Sequence, residues 1–244
     1  IADRWGYAAL FTVVAAIWLV QVAIAFGLED EQAHPTPEPT QAGSVAFNPR
    51  SDLFLSLLAA NLLVGIGSFV ANLGRSLAMD SLGFAATAVT LTAALGSTVA
   101  LLLNPLIGHL SDRFPRQVLL ALTYAAGALV LVLLATATTL PDFTVVAILM
   151  AVAGAERAVA SALVMDRLPP SALDRGMAWF ETVRWAGGIV GFAGAGYAFQ
   201  RWGVAPALWL SAFLPLLAIG LLGVVQWVGI KTLLAPNMQP NPNQ

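Results

Sequence analysis

The chain has no cysteine, one lysine and two histidines among its 244 residues. The lack of cysteine excludes disulfides, thiolate catalysis and cysteine-based metal sites. His34 and His109 lie far apart without ligand-like spacing, so neither a metal centre nor a cofactor is expected. Charge is scarce as well, at 10% Asp, Glu, Lys and Arg, against about 25% in an ordinary soluble domain. A chain so poor in charge cannot cover its surface with groups that favour water. The net charge of -2 and the absence of a basic stripe give no case for nucleic-acid binding. No H-E-x-x-H, no G-x-S-x-G and no phosphate loop occurs, which argues against an enzyme. A retinal-type Schiff base would need a lysine inside the last apolar run, and Lys231 stands at or beyond its end.

What is abundant is apolar. Hydrophobic residues make up 59% of the chain, and the mean hydropathy is +0.81. A helix needs about 20 apolar residues to cross a bilayer. Seven segments qualify, at roughly 6–28, 53–79, 84–107, 117–140, 142–165, 176–199 and 204–230. The expected fold is therefore an all-α polytopic membrane protein, with the lipid bilayer as its first partner. The stretch 29–52 is rich in proline and acid (Pro35, Pro37, Pro39, Pro49) and reads as an extended linker, and 231–244 reads as a polar tail. Ile1 opens the sequence in place of Met and no signal-peptide layout follows, which suggests a piece of a longer protein. Basic residues in short loops set orientation. Arg50, Arg113, Arg116, Arg167, Arg175 and Lys231 fall on one side and Arg4 and Arg201 on the other, so the linker and the C-terminus are expected in the cytoplasm of a cell (inner) membrane.

The spans differ in polarity. The first, fourth and seventh are almost purely apolar and read as facing lipid. The other four carry polar groups at membrane depth, where charge is costly and usually faces a cavity or a partner. Asn61, Ser68, Asn72 and Arg75 fall on one helical face, as do Thr90, Ser97 and Asn104. Glu156 and Arg157 stand near the middle of the fifth span. As helix neighbours they point about 100° apart and do not simply neutralise one another. Glu156 is the candidate proton carrier or cation contact, with an ion pair to helices outside this chain as the plainer alternative. Glu181 and Arg184, one turn apart in the sixth span, read first as a local salt bridge. Gly187, Gly188, Gly191, Gly194 and Gly196 crowd that same span and suit close helix packing. The stretch Asp3-Arg4-Trp5-Gly6-Tyr7-Ala8 is echoed by Gln200-Arg201-Trp202-Gly203-Val204-Ala205, a faint internal repeat.

The loop Gly108-His109-Leu110-Ser111-Asp112-Arg113-Phe114-Pro115-Arg116-Gln117 resembles the motif G-x-L-x-D-R-x-G-R-R/K of the major facilitator superfamily. Pro115 stands where the family has Gly, and Gln117 where it has a base. The linker 29–52 resembles the loop that joins the two halves of such proteins, and Leu168-Pro169-Pro170 through Arg175-Gly176-Met177 is similar to the loop before its eleventh helix. The resemblance implies that the seven spans correspond to helices six to twelve, with residues 53–230 as the C-terminal six-helix half and the partnering N-terminal helices absent from this sequence. It implies secondary transport of a small molecule by alternating access, with a gating loop at Gly108, Asp112, Arg113 and Arg116. Asn61, Ser68, Asn72, Arg75, Glu156 and Arg157 are then cavity candidates, and Glu181, Arg184 and Asn104 secondary ones. A non-transporting subunit held in a larger membrane complex is the alternative.

Overall fold

In a computed structural model, the structure describes Thr12, Ala16, Leu19 and Val20, and then residues 52–234, with side chains described over 54–223. The chain divides into two units, Ile1–Ala46 and Phe47–Gln244. In the first unit the four described positions are helical and exposed. The rest of the expected first span, the linker through residue 51 and the tail after residue 234 lie outside the described residues.

The second unit is a bundle of helices with no strand among the described residues. We name them α1 (Asp52–Ser81), α2 (Ala86–Arg113), α3 (Arg116–Thr136), α4 (Leu140–Gly154), α5 (Glu156–Arg167), α6 (Leu173–Trp202), α7 (Val204–Ser211) and α8 (Phe213–Leu234). Helices α4 and α5 form one rod broken at Ala155, and α7 and α8 form another broken at Ala212, so six rods stand where six spans are expected. Among the described residues, five stretches are long and apolar enough to cross a membrane: Phe54–Ser81, Ala86–Arg113, Arg116–Thr136, Leu140–Arg167 and Val204–Gly223. Helix α6 has the length, with 30 residues, but its charges and glycines keep it out of that set.

Local chemistry explains the ends. Gly83 (φ 77°) closes the turn between α1 and α2, and Gly203 (φ 87°) separates α6 from α7; both lie in the left-handed region that glycine enters without a Cβ clash. Thr139 and Asp142 form a reciprocal capping box at the start of α4, and the Asp142 carboxylate accepts from the backbone N–H groups of Thr138 and Thr139 at 3.1 and 2.8 Å. Pro215 lacks the N–H that would bond to the carbonyl of Ser211, which accounts for the break at Ala212. The break at Ala155 follows Gly154, a poor helix former, and there the Ala155 N–H turns to the carbonyls of Val152 and Ala153.

Helices α1 and α6 pack most intimately. A Cβ on Gly187 would stand 2.7 Å from the Leu62 carbonyl oxygen, and one on Gly191 would stand 2.8 Å from that of Ile66. Glycine alone permits this approach, so the G-x-x-x-G pair works as a helix contact. Two apolar clusters form the core. One gathers Phe54, Leu120, Tyr124, Val159 and Phe180, and the other Val70, Met79, Leu131, Phe143 and Leu208. The fourth span departs from its lipid-facing reading. In α3 the residues Leu119, Leu120, Thr123, Tyr124, Ala128, Val130, Leu131 and Leu134 are all buried. An apolar sequence does not distinguish lipid from neighbouring helices, since both are equally oily. Conversely α2, expected to face the cavity or a neighbouring helix, buries only Thr92, Ile107 and Ser111.

Candidate functional site

Between the two apolar clusters lies a cavity of about 230 Å³. It sits at the middle of the rods. Gly67 and Ser68 reach it from α1, Tyr124 and Gly127 from α3, Gly154 and Glu156 from the break in the α4–α5 rod, Arg184 and Trp185 from α6, and Pro215 from α8. Small residues at the lining make the room. Pro215 packs on the positions of Gly67 and Gly127, where a Cβ would meet its ring at 3.4 and 3.9 Å.

Four charges stand at this level, and they pair across helices. Glu156 is 3% exposed, and Arg184 reaches its Oε1 at 2.5 Å. Arg157, more than half exposed, grips Glu181 with both arms of its guanidinium, Nε to Oε1 at 3.3 Å and Nη2 to Oε2 at 2.7 Å. The expectation of a local Glu181–Arg184 bridge therefore gives way to two crossed pairs between α5 and α6. The physical reason is burial. Glu156 is enclosed and must be offset by a cation, whereas Glu181 lies further out and is served by Arg157. The ion pair foreseen between Glu156 and helices outside this chain is likewise made within it. Both Glu156 oxygens are buried and neither accepts a hydrogen bond of good geometry from any described residue, so Oε1 meets Arg184 as a close ion pair and Oε2 has no partner.

The expected stripe on α1 divides among three surroundings. Asn61 is buried against α6, donating from Nδ2 to the Phe180 carbonyl at 2.7 Å and accepting at Oδ1 from Arg184 Nη1 at 3.5 Å. Ser68 and Asn72 line the cavity, each bonded to its own helix: the Ser68 hydroxyl donates to the Gly65 carbonyl at 3.0 Å and Asn72 Nδ2 to the Ser68 carbonyl at 2.8 Å. Arg75 is buried apart from the cavity lining, and its Nε has no hydrogen-bond partner among the described residues. On α2, Thr90, Ser97 and Asn104 are exposed; the Thr90 and Ser97 hydroxyls bond back to the carbonyls of Ala86 and Ala93 at 3.0 and 3.1 Å. Asn104 is away from the cavity, and so is Gly108, around which a Cβ would find open space.

The loop residues form a second cluster, in a groove of about 370 Å³ at the ends of α2, α3 and α5. Arg116 Nη1 bonds the Asp166 carboxylate at 2.7 Å and the Ala162 carbonyl at 2.8 Å, while its Nη2 stands 3.8 Å from Asp112. Asp112 and Arg113 are exposed. Arg116 thus ties the start of α3 to the last turn of α5, where a cation also meets the negative end of the helix dipole.

Several lining residues were not among the expected candidates. Tyr124 and Thr123 interrupt the apolar fourth span and lie on the cavity, so that interruption was an available signal. Asp166 and the small residues Gly67, Gly127 and Gly154 carried none, because their roles depend on which helices meet.

Among the described residues no group of His, Cys, Asp and Glu could hold a metal ion. No curated protein matches the chain. The profile of the Major Facilitator Superfamily matches residues 57–242, well over half of the sequence. Charged residues on the wall of a mid-rod cavity, apolar rods and profile agree, and the chain belongs to the Major Facilitator Superfamily, a family of membrane proteins that transport solutes.

Proposed function

We propose that residues 53–230 form the C-terminal half of a secondary transporter that moves a small molecule by alternating access, with Glu156 as the group that couples transport to protons. One observation carries this reading: a buried carboxylate at the middle of the rods, on a cavity wall, with a single cation in contact. Such a group is costly to keep in a membrane interior unless it is used. The breaks at Ala155 and Ala212 add support, because discontinuous helices at mid-depth let segments of a rod tilt separately. The helices that complete the path belong to the N-terminal half of the same protein.

In this reading Arg184 and the proton compete for Glu156. With Glu156 ionised, the Arg184 guanidinium is held. With Glu156 protonated, Arg184 is released and its donors turn to a solute in the cavity. The exposed Arg157–Glu181 pair stands at the mouth of the same site. The end bearing Arg113, Arg116, Arg167 and Arg175 faces the cytoplasm, and the membrane is the cell (inner) membrane.

Full-length protein in proteoliposomes, filled with a pH-sensitive dye and offered a panel of sugars, anions and organic cations, tests both levels. A solute that enters and carries protons in wild type, and enters without protons in Glu156→Gln, is the expected result. Proton movement that survives Glu156→Gln removes the coupling role. No uptake of any solute removes the transport reading.

A further inference from the structure

Arg184 has an acid of its own one turn back, Glu181, at the i,i+3 spacing that normally pairs. It turns away from that acid to the buried Glu156. Burial of Glu156 favours that choice, and the only other side chain bonded to Arg184 among the described residues, Asn61, is placed to fix it. The Asn61 side chain is wholly enclosed, at 0% exposure. Its amide has no freedom of orientation, because the Phe180 carbonyl can only accept, so the atom 2.7 Å away must be the donor Nδ2. The other end of the same amide, the acceptor Oδ1, is then forced towards Arg184 Nη1 at 3.5 Å, and Nη1 is also the nitrogen on Glu156 Oε1. The backbone spacing that brings Asn61 within reach is set by glycine. A Cβ on Gly65, one turn along α1, would stand 3.0 Å from the Arg184 carbonyl, and Gly187 and Gly191 seat α6 on α1.

We infer that Asn61 is a positioning residue which selects the carboxylate that Arg184 serves, holding the guanidinium on Glu156 and off Glu181. Its hydrogen bonds go to the Phe180 carbonyl and to Arg184, not to Glu156, so it acts through Arg184. Without the Asn61 carbonyl, Arg184 falls back to its i−3 neighbour, Glu181, and Arg157 is displaced into water. Glu156 is left enclosed without a cation, with the buried, neutral Tyr124 of α3 as a further titratable group on its cavity wall, and a buried carboxylate in that position takes up a proton at a pH where its paired form would not. Asn61 thereby sets the pH range over which the site exchanges protons. This rests on the reading of Glu156 as the proton carrier.

Infrared titration of the full-length protein in lipid tests this without any solute, by following the carbonyl stretch of the protonated carboxyl group as pH is stepped. Glu156→Gln assigns the band. Asn61→Leu, similar in volume, is expected to move the Glu156 titration to higher pH by about one unit, a tenfold change in proton concentration. In an Arg184→Gln background the same Asn61→Leu change is expected to move it no further, since its only route to Glu156 is gone. A purely structural role for Asn61 would act in both backgrounds alike. If the leucine variant does not assemble, Asn61→Thr keeps a donor for the Phe180 carbonyl and a weaker acceptor for Arg184, and a smaller upward shift is expected. An unmoved titration in either assembled variant, or an equal shift with and without Arg184, overturns the positioning role. A wild-type protein in which no band is lost in Glu156→Gln overturns instead the proton-carrier reading beneath it.

Discussion

At the scale of single residues, the buried Glu156–Arg184 pair dominates the energetics. Taking one member from an enclosed pair leaves an uncompensated charge, at a cost of about 3–5 kcal/mol, whereas replacing both by uncharged groups of similar size can be close to neutral. Arg184→Leu should therefore lower the melting temperature of the detergent-solubilised protein markedly, and Glu156→Gln added to it should restore most of the loss. If the double variant melts no higher than Arg184→Leu alone, burial of an unpaired carboxylate is not what destabilises the protein. The Arg157–Glu181 pair is far more exposed, and solvent screening leaves it a small share of stability. These four charges were legible as unusual from sequence, because acids and bases rarely stand inside apolar runs. Their partners were not. Helical periodicity places Glu181 and Arg184 on one face, but only the distance between α5 and α6 decides that each looks across to the other helix.

At the scale of the element, the α1–α6 contact is controlled by glycine. Gly187→Ala or Gly191→Ala would drive a methyl group into backbone atoms of α1, which cannot move aside as a side chain can, and overpacking of this kind costs about 1–3 kcal/mol. Gly194 lies in the same helix with open space around its Cβ position, so Gly194→Ala should be neutral or stabilising by about 0.5–1 kcal/mol through helix propensity. Thermal unfolding of the three variants checks the contrast, and equal effects at Gly191 and Gly194 would refute the close contact. The glycine spacing announced a helix contact from sequence but not its partner. The breaks were only half visible. Pro215 marks one, whereas Gly154 is a single glycine in an apolar run and gives little warning of the interruption at Ala155. Burial was the least legible property, as α3 shows, because an apolar face has the same composition whether lipid or protein covers it.

At the scale of the whole molecule, helices run over six of the expected spans, and among the described residues five of them have the length and apolarity that a bilayer demands. Orientation rests on the distribution of basic residues and can be checked directly. The chain contains no cysteine, so a cysteine introduced at Phe114 or at Trp202 reports alone within it. In inside-out vesicles a membrane-impermeant thiol reagent should label the variant at position 114 and spare that at 202, with the reverse in right-side-out cells. The opposite pattern would invert the topology.

The crossing of the two ion pairs has a consequence for how such a site can change over evolutionary time. Each helix contributes one acid and one base, so α5 can surrender Glu156 and Arg157 together and leave Glu181 and Arg184 to find each other along α6 at their i,i+3 spacing. Losing either residue alone strands a charge. Drift at this site should therefore proceed by couples, either the two charges of one helix or the two members of one ion pair, and a descendant that has abandoned protons should lack a base from this site along with the glutamate.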